Sequence, residues 1–212
     1  MTVKAVVFDV GRVLYEWDRR YLFEKLIEGR EELDRFLDIV VPIDWHEQHD
    51  AGRPIDTMIM ERIARFPDHE HLLRAYRDRW LETIPGPVPG MLALVETLAA
   101  HDVPLFAITN FGADFWNMFR PTAPIFDRFD DIVVSGVEKL MKPDSEIYAL
   151  ALERFGLAPG EGLFVDDSLR NVESARANGF AAHHFKDAET LRAELTALEL
   201  LPRQSDDVQH IG

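Results

Sequence analysis

The chain has 212 residues, 47% of them hydrophobic and 29% charged, which is enough for one globular core with an insertion or for two small domains. Its 38 acidic residues outnumber its 23 basic ones and give a formal net charge of −15, so its surface repels nucleic acid and anionic membranes. The absence of cysteine excludes thiol catalysis, disulfides and thiolate metal sites. No cationic leader precedes the first apolar run and no run approaches the roughly 18 residues of a membrane span, so we expect a cytoplasmic protein that binds neither nucleic acid nor a membrane.

Short apolar runs alternate with helical patterns along much of the chain. The predicted strands are 4–9, 103–109, 131–135, 162–166 and 179–185. These runs show little polar alternation, which is typical of parallel strands buried on both faces. The predicted helices between the later strands are 90–102, 145–156 and 169–179. The alternation predicts an α/β fold with a doubly wound, Rossmann-like parallel sheet.

The segment from 18 to 84 interrupts this alternation, because it contains helical patterns and no convincing strand. It ends in "IPGPVPG" (84–90), whose prolines and glycines are typical of a hinge or linker. We therefore predict a helical cap domain, residues 16–86, inserted into an α/β core made of residues 1–15 and 87–212. The tail 203–212 lacks apolar periodicity, and we expect it to be loosely held.

Polar residues follow the predicted strands at the points where a doubly wound sheet carries its chemistry, the carboxyl ends of the strands. Asp9 follows the first strand, and Asp166 with Asp167 follows the fourth. The residues that the predicted fold would place together at the carboxyl ends of the strands are Asp9, Thr109, Asn110, Lys142, Asp166, Asp167 and Asn171.

This set of residues suits phosphoryl transfer. Carboxylates that converge without a cation repel one another and take up protons, and a donor set of oxygens favours Mg²⁺. Asp9 can attack phosphorus in line as a nucleophile, while Lys142 shares the charge of the transition state. The sequence therefore predicts a Mg²⁺-dependent enzyme that acts on a small phosphorylated substrate.

The segments "VVFDVGRVL", "FAITN", "LMKPDSEIY" and "LFVDDSLRN" resemble, in order and spacing, the four motifs of the haloacid dehalogenase-like hydrolase superfamily. The helical insertion resembles the small cap of that superfamily's phosphatases and dehalogenases. By position, the resemblance implies that Asp9 is the nucleophile, that Thr109 and Lys142 bind phosphate, that Asp9, the Gly11 carbonyl, Asp166 and Asp167 hold the metal, and that Asn110 and Asn171 line or support the substrate pocket.

Gly11 departs from the common phosphatase pattern, which has a second aspartate at this position as general acid and base. Glycine cannot protonate a leaving alkoxide, so its presence should cost about 10²–10⁴ in rate on a poor leaving group. Some sugar-phosphate phosphatases of the superfamily resemble this chain in having "D-x-G" here. Glu16 or Asp18 could replace the missing acid, since both lie near Asp9 in the sequence.

Two other functions remain open. A 2-haloacid dehalogenase also lacks the second aspartate, because halide leaves without a proton, but such enzymes need no metal and tend to have hydroxyl residues where Asp166 and Asp167 stand. A binding protein could retain the pocket without turnover. His46, His49 and Trp116 are further candidates for contact with the substrate, and the chain could be a monomer or a homodimer.

Overall fold

The computed structural model describes residues 2–202, so the predicted loose tail at 203–212 lies outside the described residues. Five parallel strands form one sheet in the order β3-β2-β1-β4-β5. They are β1 (Ala5–Phe8), β2 (Leu105–Thr109), β3 (Asp131–Val134), β4 (Gly162–Asp166) and β5 (Ala181–His184). All five predicted strands and their parallel arrangement are confirmed.

The central position of β1 places its end between the ends of β2 and β4. Phe8, the last residue of β1, pairs with Ala107 of β2 on one side and with Val165 of β4 on the other. The chain first builds the sheet outward through β2 and β3, and then returns to add β4 and β5 on the opposite side. The switch point of the sheet therefore lies beside Asp9, the position at which doubly wound folds bind their ligands.

Helices cover the sheet and fill the long segment between β1 and β2. They are α1 (Arg20–Phe23), α2 (Arg30–Arg35), α3 (Ile43–Asp50), α4 (Ile55–Arg65), α5 (Glu70–Asp78), α6 (Met91–Ala100), α7 (Ala113–Phe119), α8 (Ser135–Glu138), α9 (Ser145–Phe155), α10 (Leu169–Ala177) and α11 (Ala188–Ala197). A π-helix at Phe36–Val40 and 3-10 turns at Pro67–His69, Trp80–Thr83, Arg120–Thr122 and Pro124–Arg128 complete the helical elements. The predicted helices at 90–102, 145–156 and 169–179 are confirmed as α6, α9 and α10.

Helices α7 and α11 were not predicted. In α7 the buried Phe115, Trp116 and Phe119 are three and four residues apart, which is helical spacing that could have identified this helix, and Trp116 packs against Phe111 and Phe119. In α11 the buried Leu191 and Leu195 are four residues apart, which is the signal that could have identified this helix.

The apolar interior forms two clusters, one on each face of the sheet. The larger cluster continues into the segment between β1 and β2, where Trp80 stacks on Phe115 of α7 with ring centroids 4.4 Å apart. This segment contains helices and no strand among the described residues, as the sequence predicts. Its helices therefore pack directly on the end of the sheet where Asp9 lies.

A close backbone approach at Gly136, the second residue of α8, fixes this end of the sheet. A Cβ atom there would lie 2.5 Å from the Ala113 nitrogen and 2.8 Å from the Phe111 oxygen, both of them backbone atoms. We therefore expect Gly136→Ala to lower the free energy of unfolding by about 1–3 kcal/mol, because backbone must move to make room. Urea unfolding measures this change.

Gly86→Ala is the matched control, since no atom lies within 4 Å of its Cβ position and its φ is not positive. This control should change the free energy of unfolding by no more than about 0.5 kcal/mol. Equal stability of the two variants would contradict the close approach at Gly136.

Candidate active site

A cavity of about 320 Å³ opens at the carboxyl ends of the strands. The end of β1 contributes Asp9 and Gly11, the residue after β2 is Asn110, and the loop after β4 contributes Asp167. Helix α3 closes the opposite side with His46. The strand ends thus provide the polar floor of the cavity, and the inserted helices provide a wall.

Three carboxylates form the centre of the floor. Asp9, Asp166 and Asp167 each place an oxygen within 4.8 Å of the oxygens of the other two. Burial raises the pKa of Asp9 to about 7, although Lys142 lowers it in part, and burial together with the charge of Asp166 raises the pKa of Asp167. Full ionisation of this cluster therefore requires additional positive charge beside it.

Lys142 lies within this cluster, with its side chain only 1% exposed. Its Nζ is 2.9 Å from Asp9 Oδ1 and 2.7 Å from Asp166 Oδ2. Burial alone would lower the pKa of Lys142, but the charges of Asp166 and Asp9 raise it above its ordinary value, so the amine stays protonated. Lys142 is thus the cation in direct contact with Asp9 and Asp166, while Arg12, which also lines the cavity, lowers the pKa of Asp167 in part.

Asn110 holds the backbone of Lys142 in place. Its side-chain oxygen accepts a hydrogen bond from the Lys142 N–H at 2.9 Å, and its amide donates to the Lys142 carbonyl at 3.0 Å. These two bonds couple the end of β2 to the segment that carries the lysine.

Asn171, on the first turn of α10, performs a similar task for the acidic loop. Its Nδ2 lies 3.1 Å from both carboxylate oxygens of Asp166, and the Ser168 N–H donates to Asp166 Oδ1 at 2.8 Å. Asp166 is fully buried, and both of its carboxylate oxygens accept hydrogen bonds. Asp167 and Asn171, in contrast, line the cavity.

The turn after β1 aims Asp9 into the cavity. The Asp9 N–H continues the sheet ladder by donating to the Val165 carbonyl at 2.8 Å, and the Val10 N–H donates to Asp9 Oδ1 at 2.7 Å. No atom lies within 4 Å of the Cβ position of Gly11, and its φ is not positive. A larger side chain would fit there, so neither packing nor backbone conformation explains the glycine.

Several candidates from the sequence lie away from the cavity. Thr109 ends β2 and is buried beneath the cavity surface without lining it. Glu16 and Asp18 also lie outside the lining, and Asp18 instead accepts a hydrogen bond from the Arg20 N–H at 2.8 Å. The placement of these two acids gives no support to the hypothesis that either replaces the missing aspartate.

The two histidines of α3 separate. His46 lines the cavity, whereas His49 packs into the space that a Cβ of Gly112 would occupy. Trp116 packs against the rings of Phe111 and Phe126, at 5.3 and 5.2 Å between centroids, and does not line the cavity.

Among the lining residues that the sequence analysis missed are Arg12, Tyr15, Trp17, Glu47, Asp50, Trp80 and Arg170. Asp50 had a detectable signal, because it follows His46 by four residues and therefore shares its face of α3. Trp17 stacks on the His46 ring with centroids 5.0 Å apart, which joins the turn after β1 to the α3 wall.

The fold and the site define an α/β protein with three clustered carboxylates and a buried lysine at the switch point of its sheet. A family model matches residues 3–179, and the chain belongs to the haloacid dehalogenase-like hydrolases. Within residues 2–202 we find no helix with the length and apolar character that a membrane span requires.

Relatives within this family carry phosphatase names. The chain is 27% identical to the sesquiterpene phosphatase astK of Aspergillus oryzae, over 93% of this chain and 97% of that protein. It is 30% identical to a phosphoglycolate phosphatase of Thiobacillus denitrificans, over 84% of this chain and 81% of that protein. These relatives favour a phosphatase over a dehalogenase.

A solved structure with the same fold is that of a HAD family enzyme from Bacteroides thetaiotaomicron in complex with magnesium and inorganic phosphate. It superposes with a TM-score of 0.69 at 21% identity, covering 88% of this chain and 96% of that one. The likeness establishes the fold.

Proposed function

We propose that this protein is a Mg²⁺-dependent phosphatase that hydrolyses a small phosphate monoester through an aspartyl-phosphate at Asp9. The observation that carries the proposal is the placement of Asp9 at the switch point of the sheet, in a cavity with Lys142 and the Asp166–Asp167 pair. The phosphatase names of relatives and the magnesium and phosphate of the Bacteroides enzyme support it.

The residues present fit a magnesium ion. The donors are carboxylate oxygens, the set that Mg²⁺ prefers, and their raised pKa values reflect a site that needs another positive charge. Asp9, Asp166, Asp167 and the Gly11 carbonyl would hold the ion. When bound, it would neutralise charge between these carboxylates and the anionic substrate and so favour transfer.

The chain's own residues would then perform two displacements. Asp9 attacks phosphorus, the bond from phosphorus to the leaving oxygen breaks, and Lys142 stabilises the charge on the transferring group. Water attacks the phosphorus of the aspartyl-phosphate in the second displacement, which returns Asp9 as a carboxylate. Asn110, which precedes the lysine in the motif order of the family and lines the cavity, is proposed to contact the phosphate oxygens, and Thr109, buried next to it at the end of β2, is proposed to support it.

The segment 16–86 is proposed to act as a cap domain over this chemistry. Its helix α3 already forms one wall of the cavity, and Trp17 and Trp80 supply aromatic surface. Closure of such a wall excludes bulk water while the aspartyl-phosphate forms. The aromatic surface suits a substrate whose organic part has an apolar face, such as a sugar ring or a hydrocarbon, and the name of the astK relative agrees with the second.

Phosphate release tests this proposal with sugar phosphates, acetyl phosphate, p-nitrophenyl phosphate and a prenyl phosphate, each with Mg²⁺ and with chelator. We expect turnover that requires Mg²⁺ and is restored when the ion is added back after chelation. Chloride release from 2-chloropropionate that persists in chelator would instead establish the dehalogenase. Binding of phosphate without turnover of any substrate would establish a binding protein.

A further inference from the structure

Helix α3 presents two buried titratable side chains to the cavity that the two displacements do not use. His46 is 5% exposed and Asp50 is 6% exposed, and both line the cavity. Their closest atoms, His46 Nε2 and Asp50 Oδ2, are 3.4 Å apart. Burial of such groups lowers stability unless they are well paired or hydrogen-bonded, so their place in the wall suggests that they serve a function.

The contacts of His46 determine which of its atoms faces Asp50. The Tyr76 hydroxyl lies 2.8 Å from His46 Nδ1, and burial raises the pKa of Tyr76 above its ordinary value, so the hydroxyl keeps its proton and donates it. Burial, with smaller contributions from His49 and Arg19, lowers the pKa of His46 to about 3. His46 is therefore neutral, and its Nε2–H points toward Asp50.

Asp50 has no strong cationic partner. The titratable groups that face it from its own helix are His46 and His49, while the core contributes the Gly112 N–H and the Ser135 hydroxyl, which donates to the Asp50 backbone carbonyl at 2.6 Å. Within residues 2–202 neither a lysine nor an arginine forms an ion pair with it. Burial raises the pKa of Asp50 to about 7, although His49 and the Gly112 N–H lower it in part.

We infer that Asp50 supplies from the cap side the acid and base function that Gly11 cannot supply from the core side. The inference rests on the proposed phosphatase function and adds a residue to it. Asp50 shares the cavity with Asp9 and Gly11, whereas Glu16 and Asp18 do not line it. Glu47 of α3 also lines the cavity, but it is exposed to solvent, whereas Asp50 is buried. Gly11 has open space above it, so a leaving group can lie between the strand end and α3.

The proton balance closes over the two displacements. In the first, the Asp9 oxygen bonds to phosphorus, the bond to the leaving oxygen breaks, and the Asp50 carboxyl proton passes to that oxygen to give a neutral alcohol. In the second, the Asp50 carboxylate takes a proton from the attacking water, the bond between Asp9 and phosphorus breaks, and the starting state returns. His46 is a positioning residue, because its Nε2 lies 3.4 Å from Asp50 Oδ2, and the Gly112 N–H faces the same carboxyl from the core.

This role gives the enzyme access to substrates with poor leaving groups. An alkyl phosphate, such as glycerol phosphate or a sugar 6-phosphate, releases an alkoxide that needs a proton, whereas p-nitrophenyl phosphate and acetyl phosphate release stable anions. The substrate class is therefore a phosphate ester of an ordinary alcohol, and Gly11 does not restrict the enzyme to activated esters.

The experiment compares Asp50→Asn with wild type in the full chain at saturating Mg²⁺, on alkyl phosphates and on p-nitrophenyl phosphate and acetyl phosphate. We expect kcat/KM to fall about 10²–10⁴-fold on alkyl phosphates and by less than about 10-fold on the activated substrates. Asp44→Asn is the control. Asp44 lies on the same helix and is an exposed carboxylate, but it does not line the cavity. It should behave as wild type on both kinds of substrate.

An equal loss on all substrates, or no loss on alkyl phosphates, would overturn the assignment. Thermal unfolding at pH 4.5 and pH 8 separates the proton-transfer role from a folding defect. An aspartate whose folded pKa is raised makes the fold less stable as pH rises from about 4 to about 7, so Asp50→Asn should unfold at or above the wild-type temperature at pH 8. Absence of wild-type turnover on every substrate would overturn the phosphatase proposal itself, and this inference with it.

Discussion

Asp9→Asn is expected to lower kcat for every phosphorylated substrate by at least about 10⁴-fold, because a carboxamide cannot act as the nucleophile toward phosphorus. The asparagine keeps the shape of the side chain and its hydrogen bond from the Val10 N–H, so the fold should persist. Release of inorganic phosphate measures the loss. Acid quenching of the wild type during turnover should in addition trap phosphate on the protein, and the variant should trap none.

The control for this prediction is again Asp44→Asn, which removes an exposed carboxylate and should leave kcat unchanged. Retention of more than about a tenth of the wild-type kcat by Asp9→Asn would contradict covalent catalysis at this residue. Loss of alkyl phosphate turnover in Asp50→Asn with full activity in Asp9→Asn would likewise exclude the aspartyl-phosphate.

Lys142→Met is expected to lower the free energy of unfolding by about 3–5 kcal/mol at pH 8 in chelator, because it leaves Asp9 and Asp166 buried without their cation. The loss should be smaller at pH 5. Lys142 lowers the pKa of Asp9 in the wild type, so without it the pKa of Asp9 rises further above its value in the unfolded chain. The folded state then holds more protons than the unfolded chain, and its stability falls as pH rises. Urea unfolding at the two pH values measures the difference.

Lys186→Met is the matched control, since Lys186 is exposed and its replacement should change stability by no more than about 0.5 kcal/mol. A loss in Lys142→Met that is the same at pH 5 and pH 8 would show that packing of the lysine stem, and not its charge, stabilises the site. A stability equal to that of wild type would contradict the ion pairs.

Asp50 and Gly11 together concern where the general acid and base of the proposed reaction lies in this chain. Gly11 is not required by packing, and helix α3 brings the buried carboxyl of Asp50 to the same cavity. If residues 16–86 close over the substrate as proposed, an acid on α3 reaches the leaving group only in the closed state, which would couple proton transfer to closure.

The floor of the site could be predicted from the sequence because of the geometry of parallel sheets. Strands that are buried on both faces appear as apolar runs, and their carboxyl ends meet at one edge, so Asp9, Asp166 and Asp167 could be placed together before any contact was known. Lys142 does not follow a strand, and it was identified from its place in the segment that precedes helix α9. The roles of Asn110 and Asn171 were less accessible, because side-chain hydrogen bonds to Lys142 and Asp166 depend on loop conformation.

The wall of the site was decided by the tertiary structure. Asp50 is 41 residues from Asp9 along the chain, and helical spacing in "WHEQHD" gives its helix face but not what that face contacts. The packing of α3 against the core, with Ser135 bonded to the Asp50 carbonyl and His49 seated over Gly112, turns His46 and Asp50 toward the cavity. The sequence alone determined the sheet and the set of polar residues at its strand ends, since strand periodicity and order fix both. The orientation of the inserted helices, and with it the buried carboxyl of Asp50 in the cavity wall, depends on long-range packing that no local pattern encodes.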